Sequence, residues 1–173
     1  VIDSKLKKNG HLHYGECLLK GTSTKEILIS TYICHPSMAN NELSGPMLSS
    51  LLLKHFSKKK NKYSMRFIFI PETIGSIVYL SKNLKKLRRN FLCGYNLSCV
   101  GDGRAYSVIS TKYNNTLSDK YINKSLKKMK ISYKNYSFLE RGSDERQFNS
   151  PNVDLPVVTF CRSKFGNFKE YHN

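Results

Sequence analysis

The chain has 173 residues, enough for one α/β domain with a buried core. Lys and Arg number 29 against 12 Asp and Glu, a formal charge of +17, and 39% of residues are hydrophobic. No apolar run approaches the roughly 18 residues that a membrane-spanning helix needs, so no membrane partner is expected.

Residues 1–21 come first and fit poorly with the strand–helix rhythm of the rest of the chain. Asn9-Gly10 separates residues 2–6 from an alternating stretch at 11–19, which suggests a hairpin. Residues 1–21 are therefore expected to be the tail of a small inserted or neighbouring domain, and residues 22–173 the main domain. Val1-Ile2-Asp3-Ser4-Lys5 has no start Met, apolar h-region or small-residue cleavage site. Glu170-Tyr171-His172-Asn173 adds no closing helix, and the chain is expected to be a piece of a longer protein.

From residue 27 strands and helices alternate. Residues 27–33, β-branched and almost continuously apolar, read as a strand covered on both faces. Residues 44–56 come next as a helix with Leu48, Leu51, Leu52 and His55 or Phe56 on one stripe. Residues 65–70 are the next strand, closed by Pro71, and 75–89 the next helix, with Ile77, Leu80, Leu84 and Leu87 inward and Lys or Arg outward. A third strand covers 91–100 and a short fourth 105–110. An amphipathic helix at 117–130 carries Leu117, Tyr121, Ile122, Leu126 and Met129. A helical turn at 144–148 and a last strand at 155–161 complete the order. Strand, helix, strand, helix, strand is the signature of a three-layer α/β/α sandwich with a mainly parallel sheet.

The Lys runs at 58–62, 85–89 and 127–130 fall on expected helices and loops, with no nucleic-acid-binding motif beside them. Charge alone supplies only unspecific attraction, so nucleic acid is set aside as a partner. Five cysteines without CxxC spacing, four of them in or beside apolar runs, fit a reduced, cytoplasmic protein. Cys34 could serve as ligand or nucleophile, but a strand side chain next to His35 points to the opposite face.

In an open α/β sheet, ligands sit beyond the carboxyl ends of the strands. Those ends carry His35 and Glu42 after the first strand, Glu72 after the second, Asp102 after the third and His172 beyond the last. Two His and three carboxylates converging at one edge suit zinc. Singly, each has a plainer reading: His35 as a structural histidine, Glu72 as a cap of the next helix. Asp144, Glu145 and Arg146 form either an exposed loop with a local ion pair or a substrate lip. In the lip, the carboxylates would face a free α-amino group and Arg146 a carboxylate.

The runs Tyr32-Ile33-Cys34-His35-Pro36-Ser37, Asn41-Glu42-Leu43-Ser44-Gly45-Pro46, Ile70-Pro71-Glu72-Thr73-Ile74-Gly75-Ser76, Cys99-Val100-Gly101-Asp102, Gly142-Ser143-Asp144-Glu145-Arg146-Gln147 and Glu170-Tyr171-His172 span nearly the whole chain. Together they resemble the bacterial aminopeptidase-like proteins of the zinc exopeptidase superfamily, often linked to polysaccharide gene clusters. The resemblance implies a zinc-peptidase core with metal ligands His35, Asp102 and His172 and with Glu72 as general base. It also implies a small peptide or aminoacyl substrate, with self-association left open. Asn41 stands where two-zinc relatives carry a bridging aspartate, and Thr73 replaces the second of two glutamates. Glu42 is then the substitute ligand, and one zinc is favoured over two. The alternative is a catalytically degenerate binding module on the same fold.

Overall fold

The computed structural model describes residue 5 and residues 8–172. Among the described residues seven strands form one sheet: β1 (Gly15–Leu19), β2 (Ser23–Tyr32), β3 (Tyr63–Ile70), β4 (Phe91–Leu97), β5 (Ser107–Ile109), β6 (Lys134–Tyr136) and β7 (Val157–Cys161). Their spatial order is β1-β3-β2-β4-β7-β5-β6. The central β3, β2, β4 and β7 run parallel, whereas β1 pairs antiparallel with β3 and β5 antiparallel with β7. The α-helices among the described residues are α1 (Ser44–Ser57), α2 (Ile74–Asn90), α3 (Leu117–Lys128) and the single turn α4 (Glu145–Phe148).

The layers follow from alternation along the strands. On one face Leu28, Ile68, Ile70 and Val157 pack with Tyr79, Leu80 and Leu87 of α2 and with Phe148 of α4. On the other, Ile29, Phe67 and Leu97 meet Leu48, Leu52 and Leu53 of α1, and Val108 and Val158 meet Leu126 of α3. A parallel sheet buried on both faces needs such two-sided apolar strands. The three-layer sandwich is therefore as expected, and no helix among the described residues is long and apolar enough to cross a membrane.

Details depart from the sequence reading. β4 stops at Leu97 and β2 at Tyr32, so the segments after both are loops. Ile77 and Leu51 are exposed, and Tyr79 takes a core position instead. The hairpin expected around Asn9-Gly10 has its first arm largely outside the described residues, while Gly15–Leu19 adds an edge strand to the main sheet.

Two features fix the sheet's mouth. Gly45, in the first turn of α1, lies so close to β2 and β4 that a Cβ would collide with the Leu97 carbonyl and the Thr31 hydroxyl. Thr31 Oγ1 itself donates to Leu97 O at 2.9 Å. At the sheet's other end Arg66 is 2% exposed, donates to both Glu26 oxygens at 2.7 and 3.0 Å, and pairs with Glu16.

Candidate metal centre

The site starts where β2 ends. After Tyr32 the chain leaves the sheet and passes Cys34 and His35, then a π-turn over Ala39–Leu43 leads into α1. That turn presents Asn40 and Glu42 on one side and buries Asn41. Glu42 Oε2 lies 3.0 Å from His35 Nδ1. Cys34 Sγ lies 3.2 Å from the same nitrogen. The other ring nitrogen, Nε2, faces Glu72 Oε2 at 3.8 Å.

Glu72 stands between β3 and α2. Ser143 Oγ donates to its Oε1 at 2.6 Å, and its backbone N–H donates to Cys34 Sγ at 3.1 Å. Next to it Thr73 adopts φ 62°, a costly backbone for a β-branched residue. The Thr73 N–H is held by Asp144 Oδ1 at 2.8 Å, which also accepts from Ser76 Oγ. Strain of this kind persists where surrounding contacts over-determine it.

Asp102 lies beyond the end of β4. Its carboxylate accepts from the backbone N–H of Arg104 and Ser163, from Ser163 Oγ and from Asn40 Nδ2, all between 2.9 and 3.1 Å. Burial pushes its carboxyl up, but these donors outweigh burial and bring it down to about 2. The His172 ring is exposed, stacks on Tyr171 at 4.0 Å and lies 5.5 Å from the His35 ring, centroid to centroid.

The residues expected at the site therefore divide. His35, Glu42, Glu72 and the His172 ring gather at the ends of β2 and β3. Asp102 is engaged by its own loop and lies outside the tight donor group. Among the described residues that group is Cys34, His35 and Glu42, whose donor atoms all lie within 4.8 Å of one another. The strand-alternation argument against Cys34 fails because β2 has already ended at Tyr32. Imidazole, carboxylate and thiol are a donor set that suits zinc.

Asp144 and Glu145 are fully buried and do not form a lip. Glu145 Oε1 accepts the N–H groups of Gly142 and Ser143, and Oε2 accepts from Thr159 Oγ1 at 2.6 Å. Burial pushes the Asp144 carboxyl up to about 7, with Glu72 and Glu145 adding to the rise against the Thr73 and Ser76 donors. Arg146 is exposed and reaches toward Thr73 Oγ1 at 3.5 Å. Sequence reasoning missed Ser143, Asn40 and Ser163, each a small polar residue in a loop. The carboxylates they hold lie more than sixty residues away in the chain, so no local signal pointed to them.

A cleft of about 690 Å³ opens beside the cluster, walled by Ile33, Cys34, His35, Met38, Glu42 and Leu43 among others. Its lining is largely apolar, with the polar groups gathered around His35. That is the usual make-up of a small-molecule site.

Comparison with known proteins extends this geometry. The chain is 46% identical over 172 residues to a Clostridium acetobutylicum protein provisionally named a polysaccharide biosynthesis protein with aminopeptidase-like domain. It covers 39% of that protein's length and 99% of its own. A solved structure from C. acetobutylicum, provisionally named a peptidase, superposes with a TM-score of 0.88 at 45% identity, over 92% of this chain and 37% of that one. A zinc aminopeptidase from Bacillus subtilis superposes with a TM-score of 0.73 at 17% identity, over 92% of this chain and 42% of the other, a likeness of fold. The chain thus spans about two fifths of the length of these relatives. The pattern of the domain of unknown function DUF4910 matches residues 4–173. With this match and the shared three-layer fold, the chain belongs to the DUF4910 family, within the bacterial aminopeptidase-like proteins.

Proposed function

We propose that the chain carries the catalytic core of a zinc-dependent, aminopeptidase-like amide hydrolase acting on a small peptide or aminoacyl substrate. The observation that carries this reading is His35, which has Glu42 at 3.0 Å on one ring nitrogen and Glu72 at 3.8 Å on the other. One zinc would be held by His35 and Glu42, with Asp102 and His172 as the further ligands that the family resemblance implies. When bound, zinc supplies a Lewis acid that polarises the scissile carbonyl. Glu72 acts as general base: Ser143 holds Oε1 and leaves Oε2 to take a proton from the attacking water and pass it to the leaving amine. Exposed Arg146 is the substrate-facing member of its loop, and buried Asp144 and Glu145 set that loop's shape.

The relative's name supports a place for this activity in polysaccharide biosynthesis. Five unpaired cysteines support a reducing, cytoplasmic setting. Residues 22–173 form the peptidase-like core in this reading, and residues 1–21 are the tail of a neighbouring module that lends β1 to the sheet edge.

A second reading, a binding module without turnover, draws on Asn41. Its side chain is 4% exposed and accepts from the Cys99 thiol at 3.4 Å, a packing role rather than a ligand's. Zinc analysis of the purified protein together with hydrolysis of amino-acid anilides separates the two. Bound zinc with turnover that disappears in Glu72→Gln supports the hydrolase. Zinc binding without turnover in the wild type leaves the binding module, and no zinc binding at all overturns the metallohydrolase.

A further inference from the structure

Two acceptor groups close on one ring nitrogen of His35. Glu42 Oε2 at 3.0 Å and Cys34 Sγ at 3.2 Å both approach Nδ1. Nδ1 carries at most one hydrogen, which cannot satisfy two acceptors well. If the thiol instead donates to Nδ1, the Glu42 carboxylate is left facing a lone pair. A cation resolves both arrangements at once.

We propose that Cys34 Sγ, His35 Nδ1 and Glu42 form a three-ligand seat of mixed sulfur, nitrogen and oxygen character for a thiophilic divalent cation such as zinc. The inference rests on the metallohydrolase reading and puts Cys34 in place of the Asp102 and His172 ligands of that reading, since the Asp102 oxygens already accept from Asn40, Arg104 and Ser163. Neutral imidazole, one carboxylate and one thiolate together balance the charge of a dication, the thiol proton leaving to solvent. The donor atoms already lie within 4.8 Å of one another, close to the separations of ligands around one zinc.

The surroundings support the two flanking ligands from a single residue. Glu72 donates its backbone N–H to Cys34 Sγ at 3.1 Å, and its carboxylate faces His35 Nε2 at 3.8 Å. A metal on Nδ1 puts the ring proton on Nε2, and the 3.8 Å from there to Glu72 Oε2 is longer than a hydrogen bond, which leaves that oxygen free. Cys34 and His35 both wall the cleft of about 690 Å³, so an ion seated there keeps open coordination positions toward a substrate. A thiolate also makes the seat selective: it favours zinc or cobalt over magnesium and manganese.

Cobalt(II) is the probe. Added to the purified metal-free protein, it should bind and give the intense near-ultraviolet sulfur-to-cobalt charge-transfer band. The band should vanish in both Cys34→Ser and Cys34→Ala, persist in Cys17→Ser, and be accompanied by at least about a tenfold loss of zinc affinity in the Cys34 variants. Far-ultraviolet circular dichroism confirms that each variant is folded. Cobalt binding that shows only ligand-field bands, or a band unchanged without Cys34, overturns the sulfur seat and leaves the hydrolase reading standing. Failure of cobalt and zinc to bind the wild type overturns both.

Discussion

Ser143 Oγ donates to Glu72 Oε1 at 2.6 Å, and this one bond ties the loop before α4 to the turn before α2. Ser143 is 2% exposed and also accepts from Asn96 Nδ2 at 3.3 Å. Removing the hydroxyl frees one Glu72 oxygen and leaves a buried amide donor without this acceptor. Ser143→Ala should lower turnover of anilide substrates about tenfold, the equivalent of one hydrogen bond to a charged group. Zinc content should stay unchanged, because Ser143 contacts Glu72 and none of the Cys34, His35 and Glu42 donors. Metal analysis alongside kcat and KM checks both halves.

The buried Arg66 is a stability determinant far from the site. Its guanidinium grips Glu26 and reaches Glu16 across β1 and β3. Burial works against its charge, while the Glu26 hydrogen bonds and nearby carboxylates raise its pKa above the usual value. Arg66→Met leaves Glu26, 5% exposed, as an uncompensated buried charge and should cost about 3–5 kcal/mol. Adding Glu26→Leu should return most of that loss. Urea unfolding of the single and double variants measures the difference.

Asp144 makes stability depend on pH. Its carboxyl is raised from 3.8 to about 7, chiefly by burial, with Glu72 and Glu145 adding repulsion. A folded-state pKa above the unfolded one means stability that is full below about 3.8 and lost as pH rises through about 7. The shift corresponds to a loss on the order of 4 kcal/mol across that window. Asp144→Asn cannot ionise, so its unfolding free energy should change less between about pH 5 and about pH 8 than the wild type's. Circular dichroism is the readout, since the chain has no Trp.

Gly45 is a packing constraint at the start of α1. Any side chain there meets the Leu97 carbonyl and the Thr31 hydroxyl. Gly45→Ala should destabilise by about 1–3 kcal/mol despite alanine's better helix propensity. It should also weaken metal binding, because α1 is continuous with the turn that carries Glu42. A thermal melt with and without zinc reads both effects.

The fold was legible because its strands bury both faces. Runs such as Ile27-Leu28-Ile29 and Phe67-Ile68-Phe69 leave little room for another assignment, and the alternation with helices then dictates a parallel sheet. The ends of the elements were not legible. Whether β2 stops at Tyr32 or one residue later depends on pairing with β3, and that one residue decides where Cys34 points. His35, Glu42 and Glu72 were readable as strand-end residues of the right chemistry. The burial of Asp144 and Glu145 was not, since charge density in a sequence suggests solvent. Here backbone N–H groups and hydroxyls from Gly142 and Thr159 hold Glu145, and those from Thr73 and Ser76 hold Asp144 Oδ1, while Asp144 Oδ2 is buried without a hydrogen-bond partner among the described residues. β6 and the loop contacts of Asn40 and Ser163 are tertiary events with no local pattern to announce them.

The sheet order β1-β3-β2-β4-β7-β5-β6 places β2 between β3 and β4, each reached by a helical crossover. Cys34, Glu72, Asp102 and Ser143 are therefore assembled from segments that have no local contact with one another in the chain. No partly folded stretch of this protein can present the whole constellation, because long-range parallel pairing must come first. The Cys34, His35 and Glu42 donors all lie within residues 34–42, so what the finished sheet adds to them is the approach of Glu72 and, through it, Ser143.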